Sequence, residues 1–415
     1  MAAPAPRKVN IAIVGGGIGG LTLALAIQRF CDMSQLDVHI YEVASQFSQI
    51  GAGINIWGRV HKIFTNLCLD ADLARLLRED DIGHFTCRKS DQAEGQTFRD
   101  VYIENGKMML LHRAEVQDLL KHISPDITIH LAHRLDDYSH TNHAAERIEM
   151  RFRGGQVARC DLLIAADGVH SVVRRVFLSN SAEKTDRPEL RDALAPVFSG
   201  ANAYRGLVAP EQLAEVWPGH PVLKKPFIYC GKDKHVVAYP ISCGRAVNDI
   251  AFYTDTSKED TPFEGSQIGQ ATTEEPEVRA ILSCLRNPSH WAIVTQKPLD
   301  IWTDDGVFLL GDAAHAMTTH LGAGAGQAIE VIFYTPHLPS PLTTCRTPTS
   351  SHKSSRASRG TDLSPSSPPR PRLCTTAFAR LSLISSSHAP GCRTGSTSST
   401  RRAPISGYRR RTHLS

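Results

Sequence analysis

The stretch VNIAIVGGGIGGLTLALAIQRF, Val9 to Phe30, decides the fold. Val9 to Val14 is a short, apolar, β-branched run bounded at once by glycine, and LTLALAIQRF continues after GGGIGG with helical composition. The reading is strand, turn, helix. Gly15 permits the tight turn, Gly17 lets backbone approach a pyrophosphate with no Cβ in the way, and Gly20 lets the helix pack close on the strand. The helix start then offers free N–H groups and a positive dipole end to phosphate.

A second strand, DVHIYE, ends at Glu42 and completes a βαβ unit. A carboxylate at that point can accept hydrogen bonds from both ribose hydroxyls and disfavours a 2′-phosphate. These parts predict an α/β fold with a Rossmann-like, parallel-sheet domain that binds a dinucleotide. CDLLIAADG (Cys160 to Gly168) and GVFLLGDAAH (Gly306 to His315) read as further strands returning to that sheet. Between Lys184 and Pro298 the pattern changes to β-rich runs such as FIYC, HVVAYPIS and DIAFY, which predict an inserted sheet domain.

The second glycine-rich segment is LLGDAAHAMTTHLGAGAGQAIE, Leu309 to Glu330. Gly311 turns, Asp312 offers a carboxylate to hydroxyls, and Gly322, Ala323, Gly324 and Ala325 lead into another helix whose backbone donors can face developing negative charge. No second fingerprint with strand and following acid is visible, which argues against a reductase with two bound dinucleotides.

GGGIGG with its downstream acid, DLLIAADGVHSVVR, and GDAAHAM followed by GAGAGQAIE resemble, in order, the three FAD fingerprints of single-component aromatic hydroxylases. GAGINIW, with Gly53, and LLHRAEVQDLL extend the resemblance to the salicylate hydroxylase-like fungal enzymes across residues 9 to 330. The resemblance implies FAD, transient NADH or NADPH, and hydroxylation of a phenolic or salicylate-like ring with O2 through a flavin hydroperoxide. It also implies that Asp167 and Gly168 form a turn touching the FAD pyrophosphate region and helping the nicotinamide dock, with Arg174 nearby, and that Arg113 reaches the flavin phosphate or ribityl side.

Residues 1–183 are then the first part of the FAD domain, with a small substrate-side segment near 80–105; residues 184–298 are the substrate insert, and 299–330 the return. In the insert, Tyr204 and Arg205, with His235 and Tyr239, are the candidates for holding the substrate. His235, Val237 and Tyr239 share one strand face by the two-residue period. A cation there favours an anionic substrate, and a phenolate is the better nucleophile. Two other readings stay open: a catalytically silent or truncated flavin-binding protein, and a flavin-linked dehydrogenase. Thr319 stands where members of the resembled family usually carry Pro.

The 415 residues, 41% hydrophobic and 21% charged, are those of an ordinary globular enzyme. The net charge of +4 comes from the end of the chain, where twelve Arg accompany one Lys, one Asp and no Glu after Glu330, leaving the first 330 residues acidic. That basic stretch lies outside every motif, so neither nucleic acid nor a membrane is expected as partner. Residues 331–415 are dominated by Ser, Thr, Pro and Arg, and Pro336, Pro339 and Pro341 oppose a helix; this reads as a disordered tail, misread or intron-derived. Ten Cys without ligand spacing indicate no metal site and fit reduced thiols in the cytoplasm.

Overall fold

The computed structural model describes residues 7–47, 53–77, 83–103, 108–142, 146–260 and 275–334. Its centre is the strand Val9–Val14, which pairs in parallel with Leu36–Tyr41 on one side and Leu162–Ala165 on the other. Ile127–His130 and Val307–Leu309 extend the parallel sheet outward, and the short Thr303–Asp304 closes one edge antiparallel. Covered on both faces, the central strand is apolar and buried from Ile11 to Val14. Ile11 and Ile13 enter the core shared with helix Ile18–Phe30, while Ala12 and Val14 enter the core shared with helix Val172–Thr185.

The last described helix, Gly324–Tyr334, lies against Ile18–Phe30: a Cβ on Gly19 would sit 3.6 Å from the Ala328 methyl, and Phe30 meets Phe333 edge-on at 6.0 Å. The sequence reading ended regular structure at Glu330. The helix instead continues through Val331, Ile332 and Phe333, which pack on the first core and outweigh the prolines that follow. Residues 335–415, the rest of the expected tail, lie outside the described residues.

The second sheet has seven strands in the spatial order Ser289–Thr295, Val197–Val208, Ala246–Glu259, Lys234–Ile241, Phe227–Gly231, His84–Lys89 and Gln96–Tyr102. Five come from the region read as an insert and two from the segment near 80–105. One face is covered by helices Pro210–Val216 and Pro276–Cys284, through Leu213, Val278 and Ile281. The other receives the paired strands Gly53–Trp57 and Met108–His112, with Met108 and Leu110 packing on Tyr239 and Ile241.

Asp249 shares the helix-covered face with Val247 and Ala251, is fully buried, and has no hydrogen-bond partner for either oxygen among the described residues. Burial pushes its carboxyl from 3.8 up to about 8. Folding therefore favours the protonated form, and stability contributed by this group falls as pH rises from about 4 to about 8, then stays level. Asp249→Asn should remove that slope. Thermal unfolding across the range should show the variant matching the parent protein near pH 4 and exceeding it at pH 8; parallel curves would contradict the assignment.

Candidate functional site

The glycine turn is built as a cradle. Gly15 has φ +107°, and a Cβ there would lie 2.2 Å from the Ala166 carbonyl oxygen, so this turn sits directly on the Ala166–Asp167 turn. A Cβ on Gly20 would lie 2.0 Å from the Gly15 carbonyl oxygen. Gly17 differs: among the described residues nothing lies within 4 Å of its Cβ position, because it faces a cavity of about 130 Å³. Gly17 also caps helix Ile18–Phe30 without a side-chain hydrogen bond, so the first N–H groups keep their dipole for an outside acceptor.

Glu42 steadies this cradle. Its Oε2 accepts from the Gly16 amide at 2.7 Å and its Oε1 from the Ala44 amide at 2.9 Å. Gln117 donates to the Gly16 carbonyl at 3.0 Å, and Arg113, first residue of helix Arg113–Leu119, lines the same cavity with Gly16, Gly17, Glu42 and Phe47. No carboxylate pairs with Arg113 among the described residues, so a cation and a helix N-terminus address one space.

The second motif follows strand Val307–Leu309. Gly311 turns at φ +62°, and Asp312 opens the short helix Asp312–His315 with its carboxylate exposed and without a hydrogen bond among the described residues. At Gly322, φ is +55° and a Cβ would come 3.0 Å from the Asn55 amide nitrogen. Ala323 is buried, Ala325 packs on the first core, and Gly324 leaves open space where a Cβ would project. The indole of Trp57 donates to the Leu321 carbonyl at 3.1 Å and ties this loop to the paired strands.

Asp167 has its carboxylate turned to the helix behind it, accepting from the Ser171 hydroxyl and from the Val172 amide at 2.9 Å. Burial pushes this carboxyl up, against those hydrogen bonds. Only the backbone of the Asp167–Gly168 turn is left beside Gly15, with Gly168 at φ +82° and open space at its Cβ position. Arg174 lies on the helix that follows this turn. Its side chain is fully buried and directs four of its five N–H groups to the carbonyls of Ala193, Lys297, Ala313 and Ala314, so it ties three segments together.

In the seven-stranded sheet, Arg205 lies opposite Ile250, which lies opposite Val237; His235 lies opposite Phe252, and Tyr239 opposite Asn248. Arg205, His235 and Tyr239 therefore share the face turned to the paired strands. Tyr204 does not. It points to the other face, where its ring meets His290 at 4.7 Å and Tyr253 at 5.7 Å. Gly53 sits against this sheet, its amide donating to Asn248 Oδ1 at 2.7 Å, and a Cβ there would lie 2.8 Å from the Tyr239 hydroxyl.

Two observations bring this face to the glycine motifs. Burial lowers the Arg205 pKa, and the charge of Arg113, near enough to repel, lowers it further. His235 stacks on Phe252 at 4.6 Å and lies 5.2 Å from His320, in the loop before Gly322. Burial, helped by His320, lowers His235 to about 4, so its ring is neutral at pH 7. Burial pushes the Tyr239 phenol well up, with Arg205 opposing. Asn248 and His320 were not among the expected residues, because only strand pairing and loop packing bring them here.

A family model described as FAD binding domain matches residues 8–334. The chain belongs to this family. It is 31% identical to a salicylate hydroxylase of Pseudomonas putida over 79% of this chain and 75% of that protein. It is also 31% identical to a 6-methylsalicylate 1-monooxygenase of Aspergillus terreus, over 78% and 73%. Among solved structures, a salicylate hydroxylase substrate complex aligns with TM-score 0.63 and 27% identity, covering 79% of this chain and 78% of that one. The chain is thus an FAD-dependent monooxygenase of the aromatic hydroxylase type. The open cradle at Gly17, the uncapped helix start and Arg113, which has no carboxylate partner among the described residues, fit the charged part of FAD, and the exposed Asp312 fits hydroxyls. Among the described residues no His, Cys, Asp or Glu cluster could hold a metal, and no helix is long and apolar enough to cross a membrane.

Proposed function

We propose that this flavoprotein hydroxylates a small aromatic ring carrying an acidic group, phenolic or salicylate-like, at the expense of NADH or NADPH and O2 in the cytosol. We assign the parallel sheet to FAD and the face of the seven-stranded sheet bearing Arg205 to the substrate. One observation carries the reading: Arg205 is a largely buried cation with no carboxylate partner among the described residues, on the same sheet face as Tyr239 and His235. A buried charge without a partner is costly, and an anionic ligand removes that cost. The names of the relatives, salicylate hydroxylase and 6-methylsalicylate 1-monooxygenase, agree with such a ligand.

When bound, FAD reduced by the nicotinamide supplies the oxygen-transfer chemistry. The residues supply binding, orientation and charge. Arg205 holds the substrate's carboxylate or phenolate through its N–H edge, and its charge makes a phenol easier to ionise. Tyr239, fixed beside Gly53, donates from a hydroxyl that stays protonated. His235, neutral and stacked on Phe252, offers a ring nitrogen to a substrate hydroxyl.

Losing the Arg205 contact should cost about 1.5 to 3 kcal/mol, or roughly ten- to a hundredfold in substrate affinity or turnover. The test is hydroxylated product and peroxide formed per nicotinamide oxidised in Arg205→Met and Tyr239→Phe. Product should fall and peroxide rise with the FAD spectrum unchanged; unchanged coupling in both would sink the reading. A silent flavin-binding protein would show no oxidation stimulated by salicylate, and a dehydrogenase would be reduced by substrate without nicotinamide.

A further inference from the structure

We propose that Trp291 is a positioning residue for the substrate anion: its indole holds the Arg205 guanidinium flat, so that the N–H edge is presented to the ligand. This rests on the reading of Arg205 above. The guanidinium carbon lies 4.2 Å from the centre of the Trp291 ring, within the range where a cation is attracted to an aromatic face. Strand pairing sets this up. Arg205 is opposite Ser289 and Ala203 is opposite Trp291, so Trp291 stands on the diagonal from Arg205 on the same face.

The indole is itself fixed. Its Nε1–H donates to the Ser289 hydroxyl at 2.9 Å, and that hydroxyl donates to the Arg205 carbonyl at 3.2 Å. The unit closes on itself: side chain of Arg205 on the indole, indole on Ser289, Ser289 on the backbone of Arg205.

Core packing does not explain the indole, since Trp291 is 44% exposed on an edge strand and joins none of the buried clusters. Stacking does. With Arg113 repelling it and no carboxylate among the described residues drawing it, a long arginine side chain has many rotamers open to it. An aromatic face selects the one that lies along the sheet, and it occupies the plane of the guanidinium while leaving the N–H groups at its rim. A planar fork held in this way suits a carboxylate in two-point contact better than a phenolate in one-point contact. Trp291 thereby favours aromatic acids over simple phenols.

The experiment uses the full, FAD-loaded chain with salicylate as probe, read by the change it causes in the flavin spectrum and by product per nicotinamide oxidised. Trp291→Leu should raise the salicylate dissociation constant about three- to tenfold and lower coupling, with bound FAD and kcat at saturating salicylate moving less. Trp291→Phe, which keeps an aromatic face, should recover most of the affinity. In an Arg205→Met background Trp291→Leu should add nothing. If Arg205→Met weakens salicylate and Trp291→Leu does not, this inference fails while the reading of Arg205 stands. Additive losses in the double variant would show that the indole acts on the ligand by itself and would overturn the positioning role. If Arg205→Met is silent, or the unaltered protein shows no response to salicylate, both fall together.

Discussion

Gly17→Val should weaken FAD binding by about a hundredfold or more and leave the fold standing. Gly17 has φ −76° and ψ −174°, extended backbone that valine adopts without strain, and among the described residues no atom lies within 4 Å of the Cβ position. The added side chain therefore projects only into the cavity bounded by Glu42, Phe47, Arg113 and Gln117. Filling a close-packed contact costs about 1 to 3 kcal/mol, and two added methyl groups beside a pyrophosphate stand at the upper end, so affinity should fall by about a hundredfold or more. Gly20→Ala is the contrasting variant: its Cβ meets the Gly15 carbonyl at 2.0 Å, and it should lower the thermal midpoint as well as the flavin content. Flavin per chain and thermal unfolding, measured together, separate the two. Full FAD retention in Gly17→Val would remove the glycine turn from the site.

The difference between those two glycines was legible in the sequence, because strand, turn and helix are consecutive and the motif's geometry is local. Long-range pairing was not. Alternation along HVVAYP put His235 and Tyr239 on one face, but only the pairing of Lys234–Ile241 and Val197–Val208 with Ala246–Glu259 shows that Arg205 joins them and Tyr204 does not. The same holds for Asn248, whose place beside Gly53 spans 195 residues of sequence. Strands His84–Lys89 and Gln96–Tyr102 also reach the second sheet across more than a hundred residues; the segment near 80–105 was expected on the substrate side, but its strand pairing was not legible. At the other end, the prolines after Tyr334 suggested no helix, yet Val331, Ile332 and Phe333 find apolar partners and carry it on. Tertiary burial overrode a local signal there.

Arg174 shows a signal carried by the helix itself. Arg174, Phe177, Leu178 and Ser181 recur at helical spacing and are all buried, so the period places the arginine on the inner face of helix Val172–Thr185. A charged residue on such a face must find several acceptors.

Arg174→Met should accordingly be among the most damaging single changes outside the glycine turn. The guanidinium donates to Ala193 at 3.1 Å, to Lys297 at 2.9 Å, and through one nitrogen to both Ala313 at 2.9 Å and Ala314 at 3.1 Å. These are carbonyls, and no carboxylate offsets the charge among the described residues; burial lowers the pKa to about 10, which still leaves the group charged at neutral pH. Methionine fills similar length but donates nothing, leaving four acceptors short of a partner, and with partial relaxation the cost should be about 3 to 5 kcal/mol. In a domain of this size that lowers the thermal midpoint by roughly 6 to 15 °C. Arg174→Lys should recover only part, because one ammonium cannot span acceptors on three segments. The loss should also reach the cofactor: Ala313 and Ala314 belong to the single turn that begins with Asp312, so releasing their carbonyls loosens the carboxylate at its start. FAD affinity measured well below the melting range should fall in Arg174→Met and recover with the lysine variant in proportion to stability. A thermal midpoint within about 1 °C of the parent protein would mean that the four contacts are not what holds this turn.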